Sequence, residues 1–156
     1  MDFGRRAFIR RASNTGVVAL LVGNGFLKPG AARAALWNKP AFDATTLQEA
    51  LGKIVDGPLA KSANVNIVAP EIAENGAVVP VGVVATQENI EAIAILCEKN
   101  PHPLAAIFEI PPGTLADVKT RVKMAESANI VVLVRASGTF HMAVKEIKIT
   151  RGGCGG

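Results

Sequence analysis

The alternation of apolar and polar positions changes rhythm once along this chain. Between residues 45 and 55, Leu47, Leu51, Ile54 and Val55 recur at helical spacing behind Thr45-Thr46, and Gly57-Pro58 stops the run. A short helix is expected there, with a threonine as its cap. From residue 65 onward the period shortens, and β-branched runs occupy 65–69, 77–86, 90–98, 104–110, 120–124, 130–136 and 139–150. Pro70, Asn75-Gly76, Asn100-Pro101, Pro111-Pro112-Gly113 and Ser137-Gly138 supply the breaks between them. Ser137-Gly138 has the length of a two-residue hairpin joining the last two strands. Seven short strands with no helices between them favour a mainly β chain, an immunoglobulin-like antiparallel β-sandwich, over a parallel α/β sheet.

Runs 78–84 and 90–96 are more apolar than a half-exposed strand requires. A buried core accounts for them, and a partner surface is the other reading. In the last strand, residues 143–150, apolar and polar residues alternate well enough to set one face inward. The alternation stops at Thr150 and the chain finishes Arg151-Gly152-Gly153-Cys154-Gly155-Gly156.

The other end has a different character. Arg5-Arg6 are followed by Ala7, Phe8, Ile9 and Arg10, the twin-arginine layout. A modest apolar run from 16 to 27 follows, short of the roughly 20 residues a membrane-crossing helix needs. Ala32-Arg33-Ala34 then offers an A-x-A cleavage site. Residues 1–34 are expected to be a twin-arginine export signal without stable membrane insertion, so that a mature chain from about Ala35 works in a periplasm. That route carries folded proteins, which suits a chain that travels with its partner. The domain then occupies 35–150 and a Gly-rich arm 151–156.

Charge is redistributed once the signal is set aside. Six of the 17 Lys+Arg and one of the 13 Asp+Glu precede Ala35, leaving 11 basic and 12 acidic groups and a formal charge of −1. The basicity of the full chain lies in the signal, and no clustered basic face for nucleic acid is evident in the sequence.

An exposed thiol in an oxidising compartment is open to oxidation and crosslinking, so a cysteine among four terminal glycines calls for a use. Glycines on both sides leave the tip slim and hinged, free to enter a narrow cleft, and the last strand gives it a fixed base. Cys154 therefore reads as a thiol presented to deep sites in other proteins. Cys97 differs: it shares a strand face with Ile93 and Ile95 and is expected to pack as a small hydrophobe. A Cys97–Cys154 disulfide would immobilise the tail. His102, in an Asn-Pro-His-Pro turn, and His141, in the last strand, stand apart with no carboxylate or cysteine at metal-ligand spacing. No metal site and no independent catalysis are expected.

The terminal GGCGG on a twin-arginine-exported, strand-rich domain resembles the SoxY family, sulfur-carrying subunits of bacterial thiosulfate oxidation. Val78-Val79-Pro80-Val81, Lys99-Asn100-Pro101-His102-Pro103 and Thr120-Arg121-Val122-Lys123-Met124 resemble segments of that family. The resemblance implies a β-sandwich paired with a second small sandwich subunit, SoxZ, and no cofactor of its own. It implies that Cys154 carries thiosulfate-derived sulfur covalently, as an S-thiosulfonate or persulfide, with Gly152, Gly153, Gly155 and Gly156 as the flexible segment. It further implies partners that process the cargo: the haem enzyme SoxXA, the hydrolase SoxB and the molybdenum–haem dehydrogenase SoxCD. Arg151 departs from the small or aliphatic residue expected before the glycines. Two other readings stand beside this one: a carrier activated at its Gly-Gly carboxylate, which export disfavours, and an exported binding or structural module with no covalent cargo.

Overall fold

A computed structural model of the chain describes residues 38–150. Arg5, Arg6, Phe8, Ala32 and Ala34 of the expected export signal lie outside the described residues, as do Cys154 and the tail glycines.

Two helices open the described chain. α1 (Lys39–Phe42) is a single turn that the sequence rhythm did not announce, capped by Asn38, whose Oδ1 accepts from Ala41 N at 3.2 Å. The Asn38 Nδ2 donates to the Lys53 carbonyl at 3.0 Å and ties this turn to the next helix. α2 (Leu47–Ile54) starts where the apolar spacing predicts, with Thr46 as N-cap. Thr46 Oγ1 accepts from Glu49 N, and the Glu49 carboxylate accepts from Thr45 N, so two otherwise orphaned donors are satisfied.

Nine strands follow: β1 (Leu59–Lys61), β2 (Val65–Val68), β3 (Ile72–Ala73), β4 (Val79–Ala85), β5 (Ile90–Cys97), β6 (Leu104–Glu109), β7 (Asp117–Val122), β8 (Ala128–Ala136) and β9 (Thr139–Ile149). They form a two-sheet sandwich. The larger sheet has the order β1-β9-β8-β5-β6, with β3 also on β9, and the smaller has the order β2-β4-β7. The seven expected strands pair antiparallel. β1 and β3, too short to show a period, join β9 in parallel. The strand expected at 120–124 begins and ends earlier, at 117–122. Its outward positions Asp117 and Lys119 are charged and hide its start, while Val118, Thr120 and Val122 keep the inward alternation.

The two-residue hairpin forms as expected. Ser137 and Gly138 both have positive φ, 48° and 73°, as a type I′ turn requires, and Ala136 pairs with Thr139.

Two cores result. Between the sheets, Val79, Val81 and Val83 of β4 meet Ile93, Ile95, Ile130, Val132, Val134 and Ile147 of the larger sheet. Outside the larger sheet, Ala94, Leu96, Leu104, Val131 and Leu133 lie beneath Ala41, Ala44 and Ala50, with Leu47, Leu51 and Ile54 packed at the margin. β5 and β8 are thus buried on both faces for much of their length, which is why run 90–96 is almost continuously apolar. Each fully buried aliphatic side chain contributes about 1.5–3 kcal/mol relative to exposure.

Candidate functional site

The tail leaves the domain from β9, so the end of that strand defines the site. β9 pairs with β8 along nearly its whole length, from Ala136↔Thr139 to Ala128↔Ile147. Its other edge is held near the start by β1 (Leu59↔Phe140) and near the end by β3 (Ala73↔Ile149). Lys148 N donates to the Glu71 carbonyl at 2.9 Å, Ile149 N to Ser127 Oγ at 2.8 Å, and Thr150 N to the Ala73 carbonyl at 3.1 Å. The backbone is therefore tied on both sides up to the residue before Arg151. A strand held in this way is a rigid base.

The alternation in β9 is less simple than its sequence. Ile147 is fully buried, but Val144 faces out and is half exposed, while Lys145 faces in. The Lys145 ammonium escapes burial by donating to the Ala69 carbonyl at 2.6 Å, where β2 has ended. His141 is half-buried on the same inward side, and its Nδ1 has no hydrogen-bond partner.

Three loops close around the strand end. In the β3–β4 turn, Asn75 Oδ1 accepts from Ala77 N at 2.9 Å, and the Gly76 carbonyl accepts from Met124 N at 2.7 Å. A Cβ on Gly76 would lie 2.6 Å from the Met124 carbonyl oxygen and 3.3 Å from Ile149 Cγ2, so glycine is needed for this close approach. Asn100, in the β5–β6 loop, donates to the Lys123 carbonyl at 2.7 Å and accepts from Ala125 N at 2.9 Å. His102 is exposed in its turn, and its Nδ1 lies 3.2 Å from the Ala44 carbonyl.

These contacts bring together segments that lie far apart in sequence. Val79 pairs with Val122, Pro80 with Arg121 and Val81 with Thr120, and Asn100 clasps the chain just beyond. The three internal segments named in the sequence, 78–81, 99–103 and 120–124, thus meet at the end of the sandwich that carries the tail. The residues that hold the strand end, Glu71, Ala73 and Ser127, carry no sequence signal, because they act through backbone carbonyls or one hydroxyl.

Cys97 is fully buried in the inter-sheet core beside Ile93 and Ile95, as its position predicts, and is a free thiol. Burial pushes that thiol up to about 11, so it is protonated and unreactive near neutral pH. Among the described residues there is no group of three or more His, Cys, Asp or Glu able to hold a metal, and no helix long and apolar enough to cross a membrane. Arg121 and Lys123 are exposed and make no ion pair among the described residues, whereas Lys119 pairs with Asp117 at 3.2 Å in the open. An exposed pair of that kind contributes little stability.

No curated protein matches the chain in sequence. A solved structure of the sulfur carrier protein SoxY from Chlorobium limicola f thiosulfatophilum is 39% identical, with a TM-score of 0.59, over 64% of this chain and 91% of that one. Superoxide reductase (neelaredoxin) from Ignicoccus hospitalis is 20% identical over 56% of this chain and 80% of that one, with a TM-score of 0.50, a likeness of fold alone. The family model for sulfur oxidation protein SoxY matches residues 48–154. All of helix α2 but its first residue, both sheets and the tail up to its cysteine lie within that match, and the chain belongs to the SoxY family.

Proposed function

We propose that this chain is a sulfur carrier that holds thiosulfate-derived intermediates on the Cys154 thiol while other proteins transform them. The observation that carries this reading is the mounting of the tail. β9 is tied on both edges to Thr150, and beyond it stand six residues of which four are glycine and one is a thiol. Family membership agrees, and the related Chlorobium protein is named a sulfur carrier. The other thiol, Cys97, is unsuited to the task, since burial keeps it protonated and out of reach.

The chemistry follows from a thiolate on a slim arm. Joining the Cys154 thiolate to the sulfane sulfur of thiosulfate forms an S–S bond and releases two electrons, which a haem enzyme of the SoxXA kind accepts. Water then cleaves the terminal S–S bond in a SoxB-type hydrolase, releasing sulfate and two protons and leaving a persulfide. A SoxCD-type dehydrogenase then accepts electrons from that sulfane sulfur while water supplies oxygen and releases its protons, leaving the sulfur as a sulfonate on the Cys154 sulfur. The chain supplies the attachment point and its partners supply the catalysis. In this reading it pairs with a SoxZ-like second sandwich, carries no cofactor, and reaches the periplasm through Arg5, Arg6 and Phe8, with cleavage near Ala32 and Ala34.

Intact-mass measurement of the full carrier after exposure to thiosulfate and its partner enzymes tests the proposal. A thiosulfate-derived mass increase is expected on the native chain and absent from Cys154→Ser. The same increase in the Cys154→Ser variant would sink the assignment.

A further inference from the structure

The β3–β4 turn that braces the end of β9 contains the dipeptide Asn75-Gly76. An asparagine side chain is open to attack at Cγ by the backbone nitrogen of the residue that follows it, provided that nitrogen can approach. Among the described residues the other asparagines are shielded by their successors. Asn64, Asn66, Asn89 and Asn129 each precede valine or isoleucine, whose branched side chains crowd the approach. Asn100 precedes Pro101, which has no N–H to lose. Asn38 precedes Lys39, and both ends of its amide are already bonded, to Ala41 N and to the Lys53 carbonyl. Only Asn75 is followed by a residue with no side chain at all.

The geometry of the turn favours the attack. Asn75 is exposed, so water reaches it. Val78 N donates to the Asn75 carbonyl at 3.3 Å and closes the turn, while Ala77 N donates to Asn75 Oδ1 at 2.9 Å. The second bond folds the side chain back along the Gly76 peptide. The Gly76 N–H donates to no group among the described residues. Attack on Cγ places negative charge on Oδ1, and the Ala77 N–H already points at that atom, so the donor that fixes the side chain also stabilises the charge. Gly76 itself has no spare room. Its carbonyl accepts from Met124 N at 2.7 Å, and a Cβ on it would lie 2.6 Å from the Met124 carbonyl oxygen and 3.3 Å from Ile149 Cγ2. Any lengthening of the main chain here must displace the segment around Met124 or the end of β9.

We propose that Asn75 is a site of spontaneous modification, and that its conversion to isoaspartate loosens the strand end from which the tail leaves. The Gly76 nitrogen bonds to Asn75 Cγ, the bond from Cγ to the side-chain nitrogen breaks, and that nitrogen departs as ammonia with the proton of the Gly76 N–H. Water then opens the succinimide at one of its two carbonyls. One opening gives aspartate; the other gives isoaspartate, in which the main chain runs through Cβ and Cγ. Nothing is oxidised or reduced in either step. The isoaspartate adds one carbon to the backbone between residues 75 and 76, where Gly76 meets Met124 and Ile149, and sets a new carboxylate beside Glu74. Neither step uses Cys154, so the proposal stands apart from the carrier reading.

The test holds the full folded chain at mildly alkaline pH, where the amide nitrogen loses its proton more readily, and maps its peptides by mass over time. Exchange of the side-chain NH2 for OH is expected at Asn75 several-fold faster than at Asn64 or Asn129, with both aspartate and isoaspartate among the products. Asn75→Gln is expected to show no conversion at this position, because its longer side chain closes the ring far less readily. Conversion at Asn75 no faster than at Asn129 overturns the site, since the turn then protects the amide. The converted fraction carries an extra negative charge and is separated by ion exchange. Its isoaspartate form is expected to show shifted amide signals at Ile149 and Thr150. Asn75→Asp, which adds the charge without lengthening the chain, is expected to leave those signals near their native positions. Unshifted signals in the isoaspartate form, or equal shifts in Asn75→Asp, overturn the loosening of the strand end.

Discussion

The two outer faces of this sandwich have similar backbones and opposite fates. On the larger sheet, Leu96, Val131 and Leu133 project outward and are buried under a helical cover that itself presents mostly alanine at the contact, with Ala41 and Ala50 fully buried. On the smaller sheet the outward positions are Asn66 and Val68 of β2, Pro80, Gly82 and Val84 of β4, and Asp117, Lys119 and Arg121 of β7. Apolar bulk facing outward needs a second layer, and the chain supplies one from residues 38–55. Where the outward side chains are flat or charged, no layer of its own is required, and the face stays open to partners. One outer face is part of the packed interior, and the other carries no cover among the described residues.

Mutations can break this contrast, and the largest effect is expected under the helices. Leu133→Ala removes a large side chain from a fully buried site and is expected to cost about 2–4 kcal/mol in denaturant unfolding. A loss as small as that from an equivalent change on the bare face would show that the cover is not packed as described.

Gly76→Ala comes next, because the new methyl would press on the Met124 carbonyl, which is backbone and cannot swing away. About 1–3 kcal/mol is expected, together with perturbed amide signals at Ile149 and Thr150. Unshifted signals there would mean that the turn does not brace the strand end.

The core between the faces should reveal itself through pH. Cys97 has a folded value of about 11 against 9.0 in the open chain, so the native state holds its proton more tightly than the unfolded state does. The stabilisation is fully present below about pH 9 and is lost as pH rises from 9 towards 11. The difference in stability between native chain and Cys97→Ala is expected to shrink across that window. A difference that stays flat would place Cys97 in contact with water.

The smallest effect belongs to the bare face. Val68→Ser is expected to change stability by no more than about 0.5 kcal/mol in the isolated chain. A larger loss would mean that Val68 is part of the core.

Much of this protein was legible in the sequence. The β-branched runs of β2, β4, β5, β6 and β8, the alternation in β9, the Ser137-Gly138 hairpin and the Thr46-capped helix all follow from local rules, because strand preference, positive φ and helix capping depend on near neighbours. The burial of Cys97 was legible for the same reason. The start of β7 was not, because Asp117 and Lys119 resemble loop residues until their partners on β4 are known. The short strands β1 and β3 were not, because two or three residues carry no period and exist as strands only through parallel pairing with β9. The inward turn of Lys145 was also decided by tertiary structure, since only there does the Ala69 carbonyl stand ready for its ammonium. By itself the sequence determined the strand-forming runs, the early helix and a cysteine set among glycines. Only the tertiary structure decided which sheet is covered and that three distant segments meet at the tail-bearing end. Local rules set which way each side chain faces, whereas cover and convergence depend on contacts between residues that no local window contains.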